Sequence, residues 1–276
     1  MQRLVNLFFL LSISISLFAQ SSIKHLNQSI EADGVLDEDA WKQIPAYQGF
    51  HNFFPINKGK AAMDTEVKIY HDGKYLNVAF IYHDSLAAVR VNSLKRDNYG
   101  AGFHLSDCVG IVIDPYNDQN RGYFFAVNGA GTQLDALIAN YDNENLSWDA
   151  LWESGQSVLG TDKVYEMKIP LSTFSYDENI SSWSFQFYTR DAKDRMYTVW
   201  NKFQRGFLQF DTRFLKSIEV ENLQPSKIAR TTLIPAITTG HGQNLAEEKS
   251  ESNLIPSLDV QYKITDGLRL DATINP

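Results

Sequence analysis

The sequence predicts an all-β protein: an antiparallel β-sandwich, followed by a C-terminal β-hairpin segment that begins a membrane β-barrel. Three observations predict it. The 276 residues include 17 Phe and 13 Tyr, aromatics that favour strands. Short apolar runs recur between turns rich in Gly, Asn and Asp, with no helical crossover of useful length between them. Near the C-terminus, two longer segments alternate strictly between apolar and polar residues.

Taken in order, residues 1–19 read as a secretion signal. Arg3 supplies the positive start, Leu4 to Phe18 are apolar with interspersed Ser, and Ala19 is small at the cut, so the mature chain begins at Gln20. A spanning helix needs about 20 apolar residues, so export is expected rather than anchoring. The cleavage site carries no cysteine that would suggest a lipid anchor. The single cysteine, Cys108, has no internal disulfide partner and is expected to be buried as a small hydrophobe. A net charge of −8 with no basic run argues against a nucleic-acid partner.

The sandwich is expected over residues 20–222. Ser29 to Ala32 reads as a short strand. Asp33-Gly34 then turns the chain, and Asp37 caps a short helix in which Trp41 and Ile44 share one face, making Trp41 a core residue. Glu66 to His71 and Tyr75 to His83 form a hairpin about Asp72-Gly73-Lys74. Val109 to Ile113 and Tyr123 to Val127 form a second, and a turn at Asn128 to Gly131 leads to a third segment, Leu134 to Ala139. Ser157 to Leu159 and Val164 to Ile169 flank Gly160-Thr161-Asp162, and Pro170 ends that pairing. Trp183, Phe185 and Phe187 alternate onto one inner face.

Residues 223–276 change character. After Leu223-Gln224-Pro225, the apolar positions Leu258, Val260, Tyr262 and Ile264 alternate with Asp259, Gln261 and Lys263; Leu268, Leu270, Ala272 and Ile274 repeat the pattern. This reads as a linker and the first strands of a truncated barrel, because a lone hairpin cannot close one. The chain is therefore expected to be a fragment of a longer protein. The other reading is a sheet edge in a soluble domain.

The most suggestive side chains are Trp148 and Trp152, on a loop crowded with Asp142, Asn143, Glu144, Asn145, Asp149 and Glu153. Sugars present C–H faces that stack on aromatic rings and hydroxyls that need such donors and acceptors. Either the rings bind sugar or they close the edge of the core, since Trp is highly buried on average. Asp114, Asn117 and Asp118 form a turn that could collect a hard cation such as Ca2+, or simply a solvated turn. The six histidines are scattered; His71 and His83 either meet across one hairpin or simply end its strands near solvent. Phosphate loops, zinc-protease helices and nucleophile elbows are absent from the sequence. Spacing alone singles out no carboxylate pair for glycoside hydrolysis.

Residues Ile30-Glu31-Ala32-Asp33-Gly34-Val35-Leu36-Asp37-Glu38-Asp39-Ala40-Trp41 resemble the opening of carbohydrate-binding module family 9 domains. Glu66 to Asp84, Asp107 to Asp118, Phe124 to Asp135, Ser147 to Glu153 and Tyr165 to Pro170 follow in the family's order, covering most of residues 28–222. More closely, the chain resembles exported Gram-negative proteins in which such a domain precedes an outer-membrane barrel of unassigned function; Leu270 to Pro276 resembles the early barrel. The resemblance implies a β-sandwich that binds glycan, in some members with calcium, through two aromatic rings clasping a terminal sugar. Trp148 and Trp152 are the residues placed for those rings, with Asp142, Asp149 and Glu153 as polar partners. The expected function is carbohydrate binding in the periplasm or outer membrane, serving glycan capture or carbohydrate catabolism. Two alternatives remain: a periplasmic plug or docking domain that binds no sugar, and part of a glycoside hydrolase, since the domain is often joined to hydrolases.

Overall fold

Alternation in the sequence becomes stacked sheets in the computed structural model, which describes residues 22–176, 180–223, 231–244, 249–265 and 268–275. The secretion signal and its cleavage site lie outside the described residues. In chain order the strands of the first 223 residues are β1 (Lys24–His25), β2 (His51–Phe54), β3 (Thr65–His71), β4 (Tyr75–Tyr82), β5 (Cys108–Asp114), β6 (Gly122–Asn128), β7 (Gln133–Ala139), β8 (Asn143–Asn145), β9 (Glu153–Leu159), β10 (Asp162–Pro170), β11 (Ser182–Asp191), β12 (Met196–Val199) and β13 (Lys216–Glu219). One sheet has the order β1-β3-β4-β10-β9, and the other β2-β12-β11-β5-β6-β7-β8 with β13 also beside β11. Pairing is antiparallel except between β1 and β3.

The inner faces meet in one core. Leu76, Val78 and Phe80 of β4 belong to the same buried cluster as Ile111 and Ile113 of β5, Phe125 of β6, and Trp183, Phe185 and Phe187 of β11. A second apolar layer covers the outer face of the larger sheet. There Val112, Phe124, Ala126 and Tyr188 are roofed by Phe103, on a π-helical turn (Tyr99–His104), and by Phe203, Phe210 and Leu215. Strands β5 and β6 are thus buried on both faces, and every residue in them is buried. That is why they read as continuous apolar runs.

A third cluster lies on the outer face of the smaller sheet, where Trp41 of helix α1 (Asp39–Gln43) packs with Tyr70 and Ala79. The Asp-Gly turn and the Trp of the opening motif are tied to one carboxylate. Glu166 of β10 accepts the Gly34 N–H at 2.8 Å, the Asp33 N–H at 3.2 Å and the Trp41 indole N–H at 2.9 Å. Gly34 has φ +87, and a Cβ there would come within 2.6 Å of the Gln156 backbone, so the turn has room only for glycine.

Several expectations are corrected. Residues 29–32 form no strand, although Ile30 is buried; the N-terminal strand is β1. The residue preceding α1 is Glu38, which makes no side-chain cap, so Asp37 is not the cap. His71 and His83 do not meet: His71 is buried and stacks on His25 at 4.8 Å, whereas His83 lies 3.1 Å from Asp162 and 3.7 Å from Glu66.

The C-terminal segment forms a separate antiparallel sheet of β14 (Thr231–Asn244), β15 (Lys249–Thr265) and β16 (Leu268–Ile274), one strand more than the expected hairpin. Directly opposed residues share a face. Leu233 pairs Val260, Pro235 pairs Leu258 and Ile237 pairs Pro256; Leu258 pairs Ile274, Val260 pairs Ala272 and Tyr262 pairs Leu270. One face is therefore apolar across three strands, and Leu233, Ile237, Leu254, Tyr262, Leu270 and Ile274 on it are 41–68% exposed. The opposite face pairs Asp259 with Thr273 and Gln261 with Asp271. Among the described residues no helix is long and apolar enough to cross a membrane, which says nothing of strands.

Candidate functional site

Strand β8 ends the larger sheet and β9 forms the edge of the smaller, so residues 146–152 carry the chain from one sheet to the other. A crossover at a sandwich edge must seal the core it passes. Trp152 does so: it is 5% exposed, donates its indole N–H to Asp135 Oδ2 at 2.9 Å, and meets Phe125 edge-on at 5.3 Å. Trp148 is half-buried against Tyr123 at 5.5 Å and Phe125 at 6.0 Å. The two rings flank Phe125 instead of standing together as an open platform. Trp152 is a core residue, because its ring is the plug of the crossover and its N–H is satisfied inside.

The loop is pinned by two residues that the sequence reading missed. Arg96 donates through Nη2 to Asp135 Oδ2 at 2.5 Å, Asp149 Oδ1 at 2.7 Å and the Ala150 carbonyl at 2.9 Å, and through Nη1 to Gln133 Oε1. Asp135 also accepts the Ala150 N–H. Burial pushes the Asp135 carboxyl above its ordinary value, against the pull of its hydrogen bonds and of Arg96. The one sign of this hub in the sequence is an Asp placed inside the apolar run Leu134 to Ala139.

The proposed polar partners are dispersed. Asp149 is exposed and tied to Arg96, Glu153 lies 3.6 Å from Lys168 Nζ, and the charge of Asp142 acts on Arg213. Asp142 thus belongs to another locality, the turn after β7. In that turn Asn140 and Tyr141 have φ of +51 and +79, and the Tyr141 ring lies 4.7 Å from the Arg213 Cζ.

The turn at Asp114, Asn117 and Asp118 does not fit a cation. Asp114 is buried and caps its own turn, accepting the Tyr116 and Gln119 N–H groups at 2.9 Å. Asn117 accepts from Ser184 Oγ, and Asp118 accepts the Asn120 N–H and, at 2.8 Å, Arg121 Nε. Their oxygens are engaged by donors of the turn itself and by Ser184 of β11. Among the described residues no group of three or more His, Cys, Asp or Glu is placed to hold a metal.

Elsewhere a small cavity is lined by Tyr82, Asp107, Lys163, Tyr165, Arg190 and Asp191. Its charges are spent on each other: Lys163 Nζ lies 2.8 Å from Asp84 and 2.9 Å from Asp107, and the Tyr82 hydroxyl donates to Asp191 at 3.2 Å. Asp107 further accepts the N–H groups of Arg90 and Ala192. This cluster staples loops together.

The fold has solved counterparts. A candidate carbohydrate-binding protein from Bacteroides uniformis superposes with a TM-score of 0.56 at 18% identity, over 72% of this chain and 98% of that one. A family 9 carbohydrate-binding module from Caldicellulosiruptor kristjanssonii, solved with cellotriose, gives 0.50 at 16% identity, over 75% of this chain and 96% of that one. The same organism's family 9 module solved with glucose gives 0.50 at 15%, over 74% and 98%. The likeness is one of fold. The sequence itself matches no protein-family model and no curated protein.

Proposed function

We propose that the protein is exported to the Gram-negative cell envelope, where its sandwich binds glycan for capture or catabolism and its C-terminal sheet enters the outer membrane. The observation that carries the glycan reading is the likeness of the sandwich to modules solved with glucose and cellotriose. Half-buried Trp148 and exposed Asp149 are the aromatic and the carboxylate that the crossover offers to a sugar, beside the exposed Leu151 and Glu153. The membrane reading is supported by the two-faced sheet. Its strands β14 and β15 run 14 and 17 residues, beyond the 9 to 11 or so that a membrane β-strand needs. An apolar face toward lipid and a polar face toward a lumen is the pattern of such barrels.

The test is titration of the full chain with glucose, cellotriose and an array of neutral and acidic oligosaccharides. Binding to at least one glycan is expected, with unchanged affinity in chelator, because the Asp114 turn does not assemble a cation site. Silence across the array would favour the plug or docking alternative. One observation already leans that way: Trp152 turns inward, removing half of the aromatic pair.

A further inference from the structure

Resting on the glycan reading, we infer that Tyr141 and Arg213 form a subsite for a neutral sugar ring at one end of the sandwich. Tyr141 has φ +79, a region that bulky side chains rarely occupy and glycine enters freely. The fold enforces it from two sides. The Tyr141 N–H donates to the Asn120 carbonyl at 3.0 Å, and the Tyr141 carbonyl accepts the Thr212 N–H at 2.9 Å and Thr212 Oγ1 at 3.2 Å. Yet the residue is 43% exposed, so core packing does not explain why a ring is kept at a strained position.

Arg213 completes the arrangement. It sits on the short 3-10 turn Thr212–Phe214, and buried Asp211 accepts its Nε at 2.9 Å and its Nη2 at 2.6 Å. That bidentate grip fixes the guanidinium plane and uses two of its five N–H groups. Its Cζ lies 4.7 Å from the Tyr141 ring centre and 5.0 Å from that of Phe207. Phe207 in turn packs on Phe214, which stacks on Phe203 at 4.5 Å, so the cation rests on a braced aromatic bed.

The charge balance selects the ligand. Asp211 neutralises Arg213, and Asp142, which also acts on that guanidinium, leaves the locality slightly negative. Carboxylated and phosphorylated ligands are disfavoured there. What the site offers is an aromatic face for C–H groups, directional N–H donors and a carboxylate acceptor, which together match a neutral polyhydroxylated ring.

Tyr141→Gly isolates the ring, because glycine relieves the backbone strain while removing the stacking face. In the full chain, titrated with the neutral sugar that binds best on the array, this variant is expected to bind about tenfold more weakly. Its melting temperature should hold or rise, and Tyr141→Phe should bind like the wild type. Wild-type affinity in Tyr141→Gly, a lost melting transition in that variant, or tighter binding of a uronic-acid glycan than of its neutral counterpart would each overturn the subsite while sparing the glycan reading. Failure of the wild type to bind any glycan would overturn both.

Discussion

At the scale of single residues, the two tryptophans separate cleanly. Trp152→Ala empties a sealed position and removes one of the two hydrogen bonds that Asp135 Oδ2 accepts, so it should cost about 3 to 5 kcal/mol in chemical denaturation. Trp148→Ala, at a half-buried position, should cost about 1 to 3 kcal/mol and is the variant in which sugar affinity should fall if the crossover touches glycan. Equal losses of stability would contradict the assignment of Trp152 alone to the core. Glu166 carries a pH signature. Burial pushes its carboxyl up to about 7 from an ordinary 4.5, although the Gly34 N–H and the Trp41 indole N–H pull it down. A carboxyl raised in the folded state favours folding while protonated. Its contribution is therefore complete below about pH 4.5 and is lost as pH rises through about 7. The stability of the wild type relative to Glu166→Gln should thus fall by about 1 to 3 kcal/mol between pH 4.5 and 8. A flat difference across that range would show an ordinary carboxyl.

At the scale of elements, legibility followed periodicity. Strands β3, β4, β6, β10, β11, β15 and β16 were readable because apolar residues alternate between tight turns or run unbroken where both faces are covered. β2, β12 and β13 were not, since four residues are too few to show a period. β14 was hidden by Pro235, which argues against a strand in sequence; in the fold β14 is an edge strand, the place where proline is tolerated. Pro256 lies in the middle strand, but beyond the Leu258–Ile274 pair at the end of β16, so β15 is paired on one side only there. The sequence could not tell Trp152 from Trp148 for a topological reason: it does not say that the chain changes sheets at that loop, and a sheet change demands a plug. The face pattern of β14 to β16 yields its own prediction. Val260→Arg or Leu270→Arg places a charge on the apolar face and should cost about 2 to 4 kcal/mol if that face meets the bilayer midplane, with loss of membrane-assembled protein. Gln261→Arg, on the polar face, should be assembled normally. Normal assembly of all three would remove the lipid-facing reading.

At the scale of the whole molecule, one apolar layer lies between the two sheets of the sandwich and one on each outer face, and the layer on the larger sheet bears on the chain's one thiol. If the chain is exported as proposed, its single thiol meets an oxidising compartment, where an accessible cysteine would pair between molecules. Cys108 begins β5 beneath the Phe103 turn, is 2% exposed, and lies 3.7 Å from the Phe103 carbonyl. Burial pushes its thiol far above the ordinary range, which suppresses the reactive thiolate. The roof formed by Phe103, Phe203, Phe210 and Leu215 therefore does chemical as well as packing service. Protein recovered from the envelope should begin at Gln20, and its Cys108 should resist alkylation until denaturant opens that roof. An intact Met1 on that protein would refute secretion with cleavage after Ala19, and rapid alkylation of the native chain would mean that the outer layer does not close over β5.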